Sequence, residues 1–155
     1  MNFNNFTIKS QEAVQQAIQL VQNRGQQAIE AEHLLAGVLK VGENVTNFLF
    51  QKLGLNGLQI SNVLDKQISS LPKVTGGEPY LSRTANEVLQ KSVALSKSLG
   101  DEYVSLEAML LALLNVKSTA ATILKDAGMN EKDLRAAIEE LRQGQKVTSQ
   151  SSEDT

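Results

Sequence analysis

Residues Gly25–Leu39 read GQQAIEAEHLLAGVL, and Gly100–Leu114 read GDEYVSLEAMLLALL. The two stretches align without a gap at an offset of 75, so Gly25 meets Gly100, Ile29 meets Val104, Glu32 meets Glu107 and Leu35 meets Leu110. Each copy has the same plan: a glycine-led turn, one β-branched apolar residue, an acid, then an apolar helix. In the first copy Leu34, Leu35, Val38 and Leu39 fall at helical spacing and form one stripe. A helix so short and apolar is marginal alone in water. The spacing therefore predicts a central helix in each copy, with the rest of that copy packed around it.

Working outward, Thr7 is placed to cap a helix carrying Ala13, Val14, Ala17, Ile18 and Val21, which ends near Arg24-Gly25. The two phenylalanines of Asn2–Phe6 read as an arm docked on the domain. After the central helix, about Ala31 to Lys40, Gly42 breaks the chain. Val45, Phe48, Leu49 and Leu53 predict a third helix. Asn56 caps a fourth, with Leu58, Ile60, Val63, Leu64 and Ile68 as its apolar positions. LPKVTGGEPY, Leu71–Tyr80, holds both prolines and a glycine pair and reads as a linker. The pattern then restarts, with Ser82 in the place of Thr7 and Ser105 as the cap of the second central helix. AGMN at Ala127–Asn130 repeats LGLN at Leu53–Asn56 at an offset of 74.

The expected fold is thus all-α: two tandem four-helix repeats related by a pseudo-twofold axis, about eight helices and almost no strand. Repeat one spans about residues 6–70, the linker 71–80 and repeat two about 81–142. Residues 143–155 are polar and are expected to be disordered. A unit of roughly 60–65 residues buries little surface, so the two repeats are expected to pack on each other as one domain over 1–142.

Composition excludes several functions. The net charge is −2 with no basic block, which argues against a nucleic-acid partner. There is no cysteine, hence no disulfide, thiol nucleophile or thiolate metal site. This fits the cytosol. No apolar run is long enough to span a bilayer, so no membrane partner is expected. No G-x-x-x-x-G-K-[ST] loop is present, and the single histidine, His33, lacks the companions of a metal site or a catalytic triad. His33 reads as a packing or hydrogen-bonded residue. No catalytic group, metal or cofactor is expected in this domain, which reads as a binding module.

Two acids stand out. Glu32 and Glu107 share a helix face with the apolar stripes and occupy first turns, where a carboxylate favours the helix N-terminus. Such an acid can cap the helix, or it can take a guanidinium from a ligand whose anionic group sits on free N–H donors. The repeat makes these acids twins, each near a capping hydroxyl, Thr7 or Ser82. Asp101 makes the second copy the more acidic, because Gln26 stands at its twin position.

On these residues, EHLL at Glu32–Leu35 and GDEYVSLE at Gly100–Glu107 within a duplicated unit, the chain resembles the N-terminal domain of class 1 Hsp100/Clp AAA+ chaperones. The resemblance runs from about Asn2 to Arg142. The second copy and the LPKV…GG linker are most similar to the ClpB-type disaggregases, and EHLL is shared with ClpC-type relatives. The resemblance implies a substrate-binding domain of an ATP-driven hexamer, with ATP and magnesium used by AAA+ modules outside this chain. The domain itself is expected to be a monomer, because its apolar stripes are used up inside and between the two repeats. Its implied partners are unfolded or aggregated proteins, with a DnaK-type chaperone system reached through the parent protein. It implies a binding surface containing Thr7, Asp101 and Glu107, and an apolar groove position at Leu95. Lys91 and Ala108 stand where relatives carry larger apolar residues. The ClpC side of the resemblance implies the alternative, an adaptor-docking or phosphoarginine-reading domain in which Glu32 and Glu107 are the recognising acids.

Overall fold

The computed structural model describes residues 2–153. Among them eight helices run in order: α1 (Ile8–Asn23), α2 (Ala31–Val41), α3 (Glu43–Leu53), α4 (Gly57–Ser69), α5 (Arg83–Ser98), α6 (Leu106–Asn115), α7 (Thr119–Asp126) and α8 (Glu131–Arg142). Two short strands, β1 (Ala28–Ile29) and β2 (Tyr80–Leu81), complete the fold. Thr7, Asn56, Ser82 and Ser105 each accept a backbone N–H as N-caps, as their positions predict. Gly25 takes the left-handed conformation (φ 67°) that ends the turn after α1. No single described helix is long and apolar enough to cross a membrane.

The duplication is visible in how the repeats are joined. β1 and β2 pair in parallel, Ile29 opposite Leu81, and Phe6 bridges Val104 in the same parallel sense. Each pairing joins the start of one repeat to the segment before the central helix of the other. Residue 7 donates its N–H to the Val104 carbonyl, and Ser82 donates to that of Ile29. The two central helices touch at the middle, α1 packs on α2 and α5 on α6, and the outer helices cross over, α3 against α8 and α4 against α7. Every residue of α6 from Leu106 to Leu114 is buried. On α2, Leu34, Leu35 and Val38 are fully buried. At the common estimate of roughly 1.5–3 kcal/mol per large apolar side chain, these two helices dominate the core.

Two expectations are corrected. Leu58 and Val63 of α4 face solvent, at 73% and 45% exposure. Ile60, Leu64 and Ile68, spaced four apart, take the whole buried stripe, and the other two lie off it. The segment after α8 is not loose. Gln143 and Gly144 both adopt positive φ, 51° and 85°, and turn the chain back onto the domain. Val147 is buried there, its carbonyl accepts the Glu102 N–H at 2.8 Å, and the Gln150 carbonyl accepts that of Ile8 at 2.8 Å. A polar composition predicts disorder only when nothing on the domain matches the segment's hydrogen-bonding groups. Here α1 and the turn before α6 do.

Candidate functional site

The joint where the start of repeat one meets the central helix of repeat two gathers the residues singled out in the sequence. Thr7 caps α1, its hydroxyl oxygen accepting the Ser10 N–H at 3.1 Å while its own hydrogen reaches polar oxygens beside it. The Phe6–Val104 bridge sets this cap against the N-terminus of α6. Glu107 lies in the first turn of that helix, 4% exposed, and Asp101 lies in the turn before it with its carboxylate wholly buried. Thr7, Asp101 and Glu107, from opposite ends of the domain's sequence, thus share one neighbourhood.

Neither acid is unpartnered. Arg142, the last residue of α8, sends its guanidinium between them. Nη1 donates to Asp101 at 2.9 Å, while Nη2 donates to both Glu107 Oε2 and the Ser105 hydroxyl at 2.9 Å. Nε reaches the same Glu107 oxygen at 3.1 Å. Burial works against the guanidinium charge, but Glu107 and Asp101 outweigh it and hold its pKa above the ordinary value. A third carboxylate at the joint is Glu153. One of its oxygens accepts the Leu106 N–H at 3.0 Å, a free donor of the first turn of α6, and the other accepts the Thr7 hydroxyl. Burial, with the Glu107 carboxylate alongside, pushes Glu153 up to about 8.

The twin joint, around Ser82 and Glu32, differs. Ser82 accepts the Ala85 N–H at 3.0 Å as the cap of α5. Glu32 is 6% exposed, and burial raises its pKa, partly offset by its own backbone N–H. Arg24, the basic residue at the end of α1, pairs with Asp65 on α4 instead. Gln26, at the twin position of Asp101, bonds the Ile68 carbonyl through Nε2 (2.7 Å) and His33 through Oε1 (2.7 Å). His33 in turn accepts the Glu30 N–H on Nδ1 at 2.9 Å, which places its proton on Nε2. Its partners are therefore an amide side chain and a backbone N–H. Burial and the charge of Arg24 lower its pKa to about 4. Among the described residues no group of three or more His, Cys, Asp or Glu is placed to hold a metal ion.

An open cleft of about 840 Å³ runs past the first joint. Lys9, Lys40 and Lys146 stand around it with Glu43, Glu107 and Glu153, so both signs of charge face the space. Leu95 does not join this cluster. It sits in the core on α5 at 7% exposure, and Ala108 in the first turn of α6 is fully buried. Sequence reasoning missed Arg142 and Glu153. Arg142 has Ile68 as its repeat partner at the offset of 74, so the duplication carries no signal for it. Glu153 lies in a stretch whose composition reads as solvent-exposed.

The sequence profile of the Clp repeat (R) N-terminal domain matches residues 5–127. The chaperone protein ClpB of Bacteroides thetaiotaomicron is 75% identical over 154 residues, covering 99% of this chain, and that of Porphyromonas gingivalis is 54% identical over the same span. The chain spans 18% of the length of each. The Hsp104 N-terminal domain from Candida albicans superimposes with a TM-score of 0.83 at 22% identity, over 95% of this chain and 97% of that one.

Proposed function

The chain belongs to the Clp repeat N-terminal domain family, and from that premise we propose that it is the substrate-binding N-terminal domain of a ClpB-like disaggregase. Its task is to hold unfolded or aggregated polypeptide weakly while AAA+ modules, where ATP and magnesium act, thread it. In this reading the parent protein is a cytoplasmic hexamer that works with a DnaK-type chaperone system, and the domain itself is a monomer without catalytic groups. The observation that carries the proposal is the gathering of Thr7, Asp101 and Glu107 at one joint of the repeats, where Glu107 lines an open cleft and the buried Thr7 and Asp101 bond to residues that line it, Glu153 and Arg142. Ser82 and Glu32 form the twin surface across the pseudo-twofold axis, and Leu95 supports the site from the core. The 75% identical relative favours the ClpB reading over the ClpC one.

A cleft open to water, with few deep apolar anchors, leaves little free energy after the cost of ordering a flexible ligand. A Kd of about 1 μM or weaker is expected. Titration of the labelled chain with reduced, carboxymethylated lactalbumin, a permanently unfolded protein, tests this by NMR. Shifts centred on Thr7, Asp101 and Glu107 are expected. An unchanged spectrum at saturating client, or shifts confined to the linker 71–80, overturns the site.

A further inference from the structure

The segment Val147–Glu153 meets the domain as a bound peptide does. Val147 buries its side chain to 5% exposure, gives its N–H to Asp101 Oδ1 at 3.0 Å and takes the Glu102 N–H on its carbonyl. Three residues on, the Gln150 carbonyl accepts from Ile8, and its side-chain amide donates to the Asn4 carbonyl at 2.6 Å. Glu153 ends the run with both carboxyl oxygens satisfied, one by the Leu106 N–H and one by the Thr7 hydroxyl. Nearly every contact on the domain side is made by the backbone or by a residue of the proposed site. With the segment seated Thr7 is fully buried. The same residues cannot meet a client while the segment is seated.

We infer that Val147–Glu153 is a built-in competitor for the client site, and that the site takes polypeptide in which a small apolar side chain precedes an acidic one by six residues with a turn between them. The inference rests on the client-binding reading, since it names what that site prefers and what closes it. Backbone hydrogen bonds supply the affinity, and the two side-chain seats supply the register. The apolar seat lies beside Asp101. The acidic seat is the first turn of α6 closed by the α1 cap. A site covered in nine of ten molecules binds with about a tenth of its open affinity.

The test uses the 155-residue chain and a synthetic peptide of its residues 147–153, acetylated and amidated. The Glu153→Ala variant, which loses only the acidic anchor, is expected to bind this peptide about tenfold more tightly than the unaltered chain does. Its Ile8 and Leu106 amide signals are expected to return to their original positions as peptide is added. A peptide with alanine in place of its glutamate is expected not to restore them. Equal peptide binding by both chains overturns the inference. So does rapid hydrogen exchange at the Ile8 and Leu106 amides of the unaltered chain, because the seat would then be empty without any mutation. The unfolded lactalbumin derivative is titrated in parallel. A variant that takes the peptide while neither chain takes the client upholds the seat and removes the client reading. A client that binds both chains equally at the joint keeps that reading and removes the competitor.

Discussion

The two repeats solve one packing problem with different chemistry. In each, the fourth helix must be joined to the turn before the second. In the buried part of its joint repeat one does so with neutral groups: Gln26 spans from the Ile68 carbonyl of α4 to His33 of α2, while the Arg24–Asp65 ion pair lies outside it, largely exposed. Repeat two places Asp101 at the twin of Gln26 and Arg142 at the twin of Ile68, and closes the joint with an ion cluster that includes Glu107. A neutral network can be complete within the core. An ionic one brings more donors and acceptors, and the same joint also accommodates the chain's own Val147 and Glu153. On the proposed function the second joint is therefore the one that takes a ligand, and it is also the one that a single substitution is expected to harm most.

The largest expected effect tests that difference directly. Arg142→Met leaves Asp101 and Glu107 buried without their cation, and breaking a buried ion cluster in this way costs about 3–5 kcal/mol. Gln26→Leu in the twin joint strands one imidazole N–H and leaves the Ile68 carbonyl short of a donor, for about 1–3 kcal/mol. Urea denaturation of the two variants measures both. If Gln26→Leu costs as much as Arg142→Met, the joints are energetically alike and the contrast fails.

The pattern of helices was legible because each signal was local or duplicated. Caps at Thr7, Ser82 and Ser105 follow from hydroxyls one residue ahead of apolar periodicity. The central helices follow from a stripe repeated at an offset of 75. The composition of the site was legible only in part. Glu32 and Glu107 are marked by the repeat, but the partners of Glu107 are set by tertiary geometry. Arg142 comes from the end of α8, and Glu153 lies 46 residues beyond Glu107 in a stretch with no periodicity. The family resemblance pointed to Leu95 as a groove residue. In this chain Leu95 is buried in the core, and the small Ala108 in the first turn of α6 is fully buried.

The joints are also expected to answer pH in opposite directions. Neutral His33 accepts on Nδ1 and donates from Nε2, and protonation would set two N–H groups against each other at Nδ1. Its folded pKa, about 4, lies below the ordinary 6.5. Between these values the unfolded chain binds a proton that the folded chain does not. Stability therefore falls as pH drops through this window, by about 3 kcal/mol in all at 1.4 kcal/mol per unit. Urea midpoints from pH 7 to pH 4 check this, and His33→Gln is expected to flatten the slope. Glu153 has the reverse sign. Seated, it holds its proton up to about 8, while the free segment releases it near 4.5. Seating therefore weakens as pH rises from 4.5 to 8, with Lys9, Lys40, Lys146 and Arg142 facing the same cleft as Glu43 and Glu107. Faster exchange of the Leu106 amide at pH 8.5 than base catalysis alone predicts is the expected sign. If both joints weakened toward acid, the assignment of Glu153 to its seat would be wrong.

The smallest expected effect concerns the helix pairs that carry the joints. Gly37 in the middle of α2 faces Ala13 of α1, and a Cβ placed there would lie 2.1 Å from the Ala13 carbonyl oxygen and 3.0 Å from its carbon. These are backbone atoms, so no side-chain rotation relieves the clash. The twin positions, Ala112 and Val88, are both fully buried and both larger, so α5 and α6 meet across side chains where α1 and α2 meet backbone to Cα. Alanine is the better helix former by about 1 kcal/mol, and propensity alone predicts that Gly37→Ala stabilises. Overpacking a closed contact costs about 1–3 kcal/mol and acts against that gain. The net expected result is a loss of about 1 kcal/mol on Gly37→Ala. Ala112→Gly is expected to lose a similar amount for the opposite reason, a weaker helix and a small void. Thermal melts resolve the two. If Gly37→Ala raises the melting temperature, α1 and α2 have room to spare, and the closer packing assigned to repeat one is refuted.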